Sequence, residues 1–287
     1  MTASLALDLG LALVALGVAT WTIAARAPFA AAIGFVAYGL VLALLWVRLG
    51  AVDVALTETA IDGVTGVLLL SAASRLREGA PEPAAASASP ALRWSAGILC
   101  AVVSAGIAVA VLAAPDPAPS LALPAAERLP ELGLGNPVTA VLMAYRAIDT
   151  LLEKVVLLVG LVALWSLAPD RHWGGRPGPA PAPRDEALAF LARLLPPAGI
   201  VAGVYLLWTA TSEPGGAFAG GTLLAAMWIL ARMAGLVDAP PVGRRALRLA
   251  LVAGPAAFLA VGFAGVAWAD GFLSYPEGWA KPLIVAV

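Results

Sequence analysis

Long apolar runs separated by short polar stretches set the pattern of this chain. A helix needs about 20 mostly apolar residues to cross about 30 Å of hydrocarbon. Eight windows reach or nearly reach that length: Ser4–Ala25, Pro28–Val47, Val54–Ala73, Trp94–Ala114, Ile148–Leu167, Leu194–Thr211, Phe218–Ala234 and Ala246–Ala269. A ninth begins near Trp279, and only Pro282–Val287 follow Lys281, so the chain is expected to stop within a helix that continues in the native protein. The pattern predicts an all-α fold, a polytopic transmembrane helix bundle of about nine helices. No Lys or Arg precedes the first window and no convincing small-residue cleavage site follows a short apolar core, so that window reads as a permanent helix rather than a removed signal peptide.

Two connectors divide the bundle. Gly79–Pro90 is rich in Ala, Pro and Ser, and Gly174–Pro183 is almost entirely Gly, Pro and Ala, the compositions of flexible or extended linkers. They leave blocks over residues 1–78, 94–170 and 185–287, with three, two and at least four helices. Pro115–Gly135 is a further loop inside the middle block, and no internal repeat makes the blocks copies of one another. Asn136-Pro137 is a strong helix start, an N-cap followed by proline at the first helical position. From there to Leu167 is about 31 residues, or about 46 Å of helix, longer than the bilayer is thick. Val138–Tyr145 is therefore expected to lie along the membrane surface before the chain turns inward.

Charge fixes a direction. Of 17 Lys and Arg, twelve fall on one side of nine alternating crossings, from Arg26 through Arg248. Arg48, Arg128, Arg146, Lys154 and Lys281 fall on or just inside the other. Short basic loops stay in the cytoplasm, which predicts an exterior N-terminus in a multi-pass membrane protein. Twelve of the 18 acids take the opposite distribution, in exterior loops or the outward half of spans.

The composition, 61% hydrophobic and 12% charged, agrees with a membrane protein, since soluble domains carry about 25% charged residues. One cysteine, Cys100, and one histidine, His172, exclude a disulfide framework and a zinc site of the Cys/His kind. His172 beside Arg171 and Trp173 reads as an interface anchor, and Trp94, Trp165, Trp208 and Trp268 fit an aromatic belt near span ends. A net charge of −1 without a basic run gives no reason to expect nucleic acid. No GxSxG, phosphate loop or dinucleotide fingerprint is present, so neither an enzyme nor a bound cofactor is expected.

Three polar clusters remain inside the apolar pattern. Glu58 and Asp62 lie about 6 and 12 Å below the start of the third window at Val54, four residues apart and so on one helical face. A carboxylate at membrane depth costs at least a few kcal/mol and normally faces a wet cavity or a partner. Two on one face favour a shared proton or a small cation. The bland alternative is that Thr57, Thr59, Thr65 and a neighbouring helix satisfy protonated acids as packing groups. In the fifth window Arg146 and Asp149, three apart, can pair and pin the interfacial turn, while Glu153 lies deeper and Lys154 is turned about 100° away from it. The third cluster is Thr211-Ser-Glu-Pro-Gly-Gly-Ala-Phe-Ala-Gly-Gly221, in which Pro214 stops a helix and Gly216 and Gly220 are spaced as a small-residue helix contact. Composition alone reads that hairpin as packing rather than chemistry.

The three clusters, in this order, resemble one known family. Asp53-Val-Ala-Leu-Thr-Glu-Thr-Ala is similar to a signature of the D subunit of membrane-bound hydrogenases and of the C-terminal part of the A subunit of Mrp-type cation/proton antiporters. Asn136 through Glu153 resembles a stretch of the hydrogenase E subunit, and Pro214-Gly-Gly-Ala-Phe-Ala-Gly-Gly221, with Tyr275-Pro-Glu-Gly later, resembles a hairpin of the Mrp B subunit. The resemblance implies a fused accessory subunit of a Mrp-like or complex I-like machine in a bacterial or archaeal cytoplasmic (inner) membrane, with large antiporter-like subunits and the lipid bilayer as neighbours and Na+ or H+ as the transported cation. It implies an exterior-facing ion route past Asp53, Glu58, Asp62, Asp149 and Glu153, with a transient cation at Glu58, Asp62 and Glu153 the only metal expected. Arg146, Thr150, Pro214, Gly216, Phe218 and Gly220 belong to the structural parts of the motifs. Ala144, Ala147, Ile148 and Leu152 depart from the second family pattern, and Thr211 and Ser212 from the third, leaving an altered ion or a purely scaffolding role open. The chain lacks the long antiporter-like unit itself, so it is not expected to transport alone. A subunit of a redox-driven assembly and a structural spacer are the two other readings.

Overall fold

A computed structural model describes residues 2–79, 89–115, 117, 119–167, 169 and 186–287. Most of the Gly79–Pro90 connector and all of Gly174–Pro183 lie outside them, as do Asp116, Asp170, His172 and Asp185. The described residues form helices and loops and no strand. They run α1 (Thr2–Ala24), α2 (Pro28–Arg48), α3 (Val52–Gly79), α4 (Pro90–Leu112), α5 (Ala122–Glu127), a 3-10 turn (Leu129–Leu132), α6 (Pro137–Ala140), a π turn (Val141–Tyr145), α7 (Ala147–Ser166), α8 (Glu186–Thr209), α9 (Ala217–Met233), α10 (Arg245–Trp268) and α11 (Ala280–Ala286).

Six helices, α1, α2, α3, α4, α8 and α10, are long and apolar enough to cross a membrane. Two predicted spans fall short of that measure for separate reasons. Helix α7 has 20 residues but places Asp149, Glu153 and Lys154 in its first half, and α9 has only 17 residues. The ninth predicted span is the seven-residue α11. Helix α8 starts eight residues before the predicted Leu194, because it runs through Pro196 and Pro197 rather than beginning beside them. Prolines are tolerated inside membrane helices where neighbours and local adjustment satisfy the freed carbonyls.

The helices pack in a row. Helix α2 lies between α1 and α3, α3 also packs on α9, and α9 on α8, while α7 packs on α10. Small residues allow these approaches, as they do where apolar lipid gives helices little hydrophobic reason to associate. Gly66 of α3 receives the Val36 side chain of α2, and Gly199 of α8 receives Met227 of α9. Arg48 at the end of α2 closes an ion pair of 2.7 Å with Asp8 near the start of α1. Helix α4 stands apart, with every described side chain exposed.

Between Asn136 and Leu167 the chain turns directly after Tyr145, where the excess length called for a turn. Arg146 leaves helical geometry (φ −133°, ψ 39°) after the π turn, and α7 starts afresh at Ala147. Thr150 Oγ1 donates to the Leu142 carbonyl at 2.6 Å, satisfying across the break an acceptor that a continuous helix would have filled. Two small cores lie beside it, Ala147, Leu151, Phe258 and Leu273 in one, and Leu134, Ala140 and Ile284 in the other, with Met143 packed against both.

Candidate functional site

The three motifs meet at one end of the bundle. Asp53 stands in the first turn of α3, where the free amides of a helix start favour a negative side chain. Its Oδ1 accepts from the Gly215 backbone N–H at 3.0 Å and from the Asn136 amide Nδ2 at 3.3 Å. One carboxylate oxygen thus joins residues of all three blocks.

Asn136 is only 3% exposed and uses its whole side chain. Its Oδ1 caps α6, accepting from the Val138 N–H at 2.8 Å and the Thr139 N–H at 3.4 Å, and its Nδ2 also donates to the Glu213 carbonyl at 2.9 Å. Around it the Gly135 and Asn136 N–H groups both donate to the Thr211 carbonyl, and Thr139 Oγ1 donates to the Ala210 carbonyl. Gly215 fits this site because its φ of +157° is a region L side chains rarely adopt and a Cβ would lie 2.7 Å from the Leu206 carbonyl oxygen. From sequence, Asn136 is marked as a helix start and the opening of the second motif, and Thr211 as the head of the hairpin cluster. Their long-range partners had no local signal beyond the two donors an N-capping Asn has left over.

Below this junction Glu58 and Asp62 are half-buried on α3. Asp62 is set against buried Gly39 of α2, where a methyl group would collide with its carboxylate and lie 2.7 Å from its Cβ. Neither acid has a hydrogen-bond partner among the described residues. The Thr57 and Thr59 hydroxyls, candidates to satisfy them, donate to the Asp53 and Ala55 carbonyls of their own helix at 3.0 and 2.8 Å.

The second cluster is divided. Arg146 Nε pairs with Asp149 at 2.6 Å on the surface, as their spacing suggested. Glu153 is exposed, whereas Lys154 Nζ sits 4.9 Å from the centre of the buried Phe258 ring of α10, a cation–π contact. Among the described residues no group of three or more His, Cys, Asp or Glu side chains gathers as a metal site, so Glu58, Asp62 and Glu153 do not form one cage.

In the hairpin, Pro214 follows the end of α8 and Phe218 is 40% exposed at the start of α9. The expected pairing of Gly216 with Gly220 as one contact is corrected. A Cβ at Gly216 would meet nothing, its part being a φ of +128°, while Gly220 presses on Gly203 of α8, with a hypothetical Cβ 2.6 Å from the Gly203 oxygen. Beyond the predicted set, Tyr275 donates its hydroxyl to the Met143 carbonyl at 2.6 Å, and burial pushes that hydroxyl up to about 12. A cleft beside the junction is lined by Trp208, Thr209, Thr211, Ser212, Lys281 and Val285.

Residues 13–78 match the MbhD family, the D subunit of MBH, and residues 187–285 match the domain related to the MnhB subunit of Na+/H+ antiporters. No curated protein matches the chain. Among solved structures, 96% of the chain superposes on a chain of the Mrp complex from Dietzia sp. with a TM-score of 0.71 and 23% identity, a likeness of fold. The chain spans 33% of the length of that solved chain. The chain therefore carries an MbhD region at one end and an MnhB-related domain at the other, on a backbone whose fold is like that of a Mrp complex chain.

Proposed function

We propose that the chain serves in a multisubunit cation/proton antiporter, where it contributes an exterior-facing acidic route for sodium and holds the large antiporter-like subunits together. The observation that carries this reading is the Glu58–Asp62 pair: two carboxylates one turn apart at membrane depth, with no hydrogen-bond partner among the described residues and with nearby threonines committed to their own helix. Carboxylates in that setting call for a mobile cation, a proton or water. The relationship to the MnhB subunit of Na+/H+ antiporters supports sodium as the first cation to test. Exposed Glu153 extends the route along α7, while Asp149 is held by Arg146.

The test uses the whole complex in everted membrane vesicles with sodium added and the proton gradient followed by a dye. Glu58→Gln and Asp62→Asn, at unchanged assembly, are expected to raise the sodium concentration for half-maximal antiport about tenfold, the effect of ~1.4 kcal/mol per site. Unchanged sodium dependence in both variants overturns the ion route and leaves a scaffold. The match of residues 13–78 to a hydrogenase component supports a second reading, membership of a redox-driven membrane arm. Copurification of a soluble redox protein with the tagged chain decides for it.

A further inference from the structure

We propose that Asp53 is the acceptor of a three-way latch, fastening the glycine hairpin and the start of α6 to the head of α3, and is not a ligand for a passing cation. The family resemblance implies Asp53 as a member of the acidic route with Glu58 and Asp62. Its surroundings differ from theirs. Asp53 Oδ1 holds two donors, the Gly215 N–H and the Asn136 amide, from residues 162 and 83 positions away. Both donors are built in. Gly215 reaches the oxygen only through a backbone region open to glycine, and Asn136 is buried with its other valences spent on the α6 cap and the Glu213 carbonyl. The amides at the head of α3 already offset the negative charge.

The latch needs an acceptor oxygen, whereas an ion ligand needs a charge, and the two requirements separate in Asp53→Asn. An asparagine keeps the oxygen for Gly215 and Asn136 and removes the charge. Asp53→Ala removes both. Asn136→Asp keeps the helix cap but replaces the donating amide with a second carboxylate facing Asp53.

All three variants are read in the purified complex and in everted vesicles with sodium. Asp53→Asn is expected to assemble, to protect the 210–216 segment from hydrogen exchange as the parent does, and to keep the same half-maximal sodium concentration. Asp53→Ala and Asn136→Asp are expected to increase exchange at 210–216 at least tenfold and to lower the maximal rate without shifting the sodium dependence. An assembled Asp53→Asn complex with native protection but a raised sodium requirement overturns the proposal, as does an Asp53→Ala complex with undisturbed exchange. If Asp53→Ala does not assemble, Asp53→Asn decides alone: rescue supports the latch and failure refutes it. Exchange at 210–216 reads the latch whether or not Glu58 and Asp62 carry ions, so this result is independent of the transport test.

Discussion

Tyr275 shows how much one hydroxyl can hold in place. It reaches from the loop after α10 to the Met143 carbonyl, inside the π turn where the backbone is least regular. Because burial raises its ionisation to about 12, the neutral, donating form is the one the fold favours. The sign follows: the contribution is complete below the unfolded value near 10 and is lost as pH rises from about 10 towards 12. Alkaline absorbance titration of the complex should show a late tyrosinate step that disappears in Tyr275→Phe. That variant should also lose about 0.5–1.5 kcal/mol at neutral pH, read as a lower melting temperature. At this scale the sequence was partly legible. Arg146–Asp149 followed from spacing, and Asn136 from its proline neighbour. The partners of Asp53, Asn136 and Tyr275 lie dozens of residues away, and only packing of the three blocks brings them within bonding distance.

Between elements, the contacts that matter are made by residues without side chains. Gly220 and Gly203 bring the backbones of α9 and α8 together, and the atom facing Gly220 is a carbonyl oxygen that cannot swing aside. Gly220→Ala is therefore expected to cost about 1–3 kcal/mol through overpacking. Gly221→Ala, whose added carbon would meet nothing within 4 Å, is the matched control and should not lower the melting temperature of the complex, since alanine is the better helix former. Helix positions were largely readable, because hydrophobic windows mark where a chain can lie in lipid. What hydropathy missed was backbone detail. The turn expected after Tyr145 is built from a π turn and a break at Arg146, and α8 continues through two prolines. A window average registers neither, since both depend on which neighbour re-satisfies the freed groups.

At the scale of the whole molecule, alternating crossings bring the 49–53, 129–146, 210–216 and 269–279 connectors to one end. The hydrogen bonds from Asp53, Asn136 and Tyr275 cross between those connectors there. That shared end makes the sidedness testable. With Cys100 replaced by serine, single cysteines at positions 51 and 213 should react with an impermeant maleimide added outside intact cells. Cysteines at 27 and 240 should react only in everted vesicles. The reverse pattern would turn the whole assignment over, while equal labelling of 51 and 27 would break the alternation itself.

The one-ended placement of Asp53 and its partners has a mechanical sequel. They act like the rivet of a fan: one oxygen at the handle indexes three blades, so that losing it frees all three there at once.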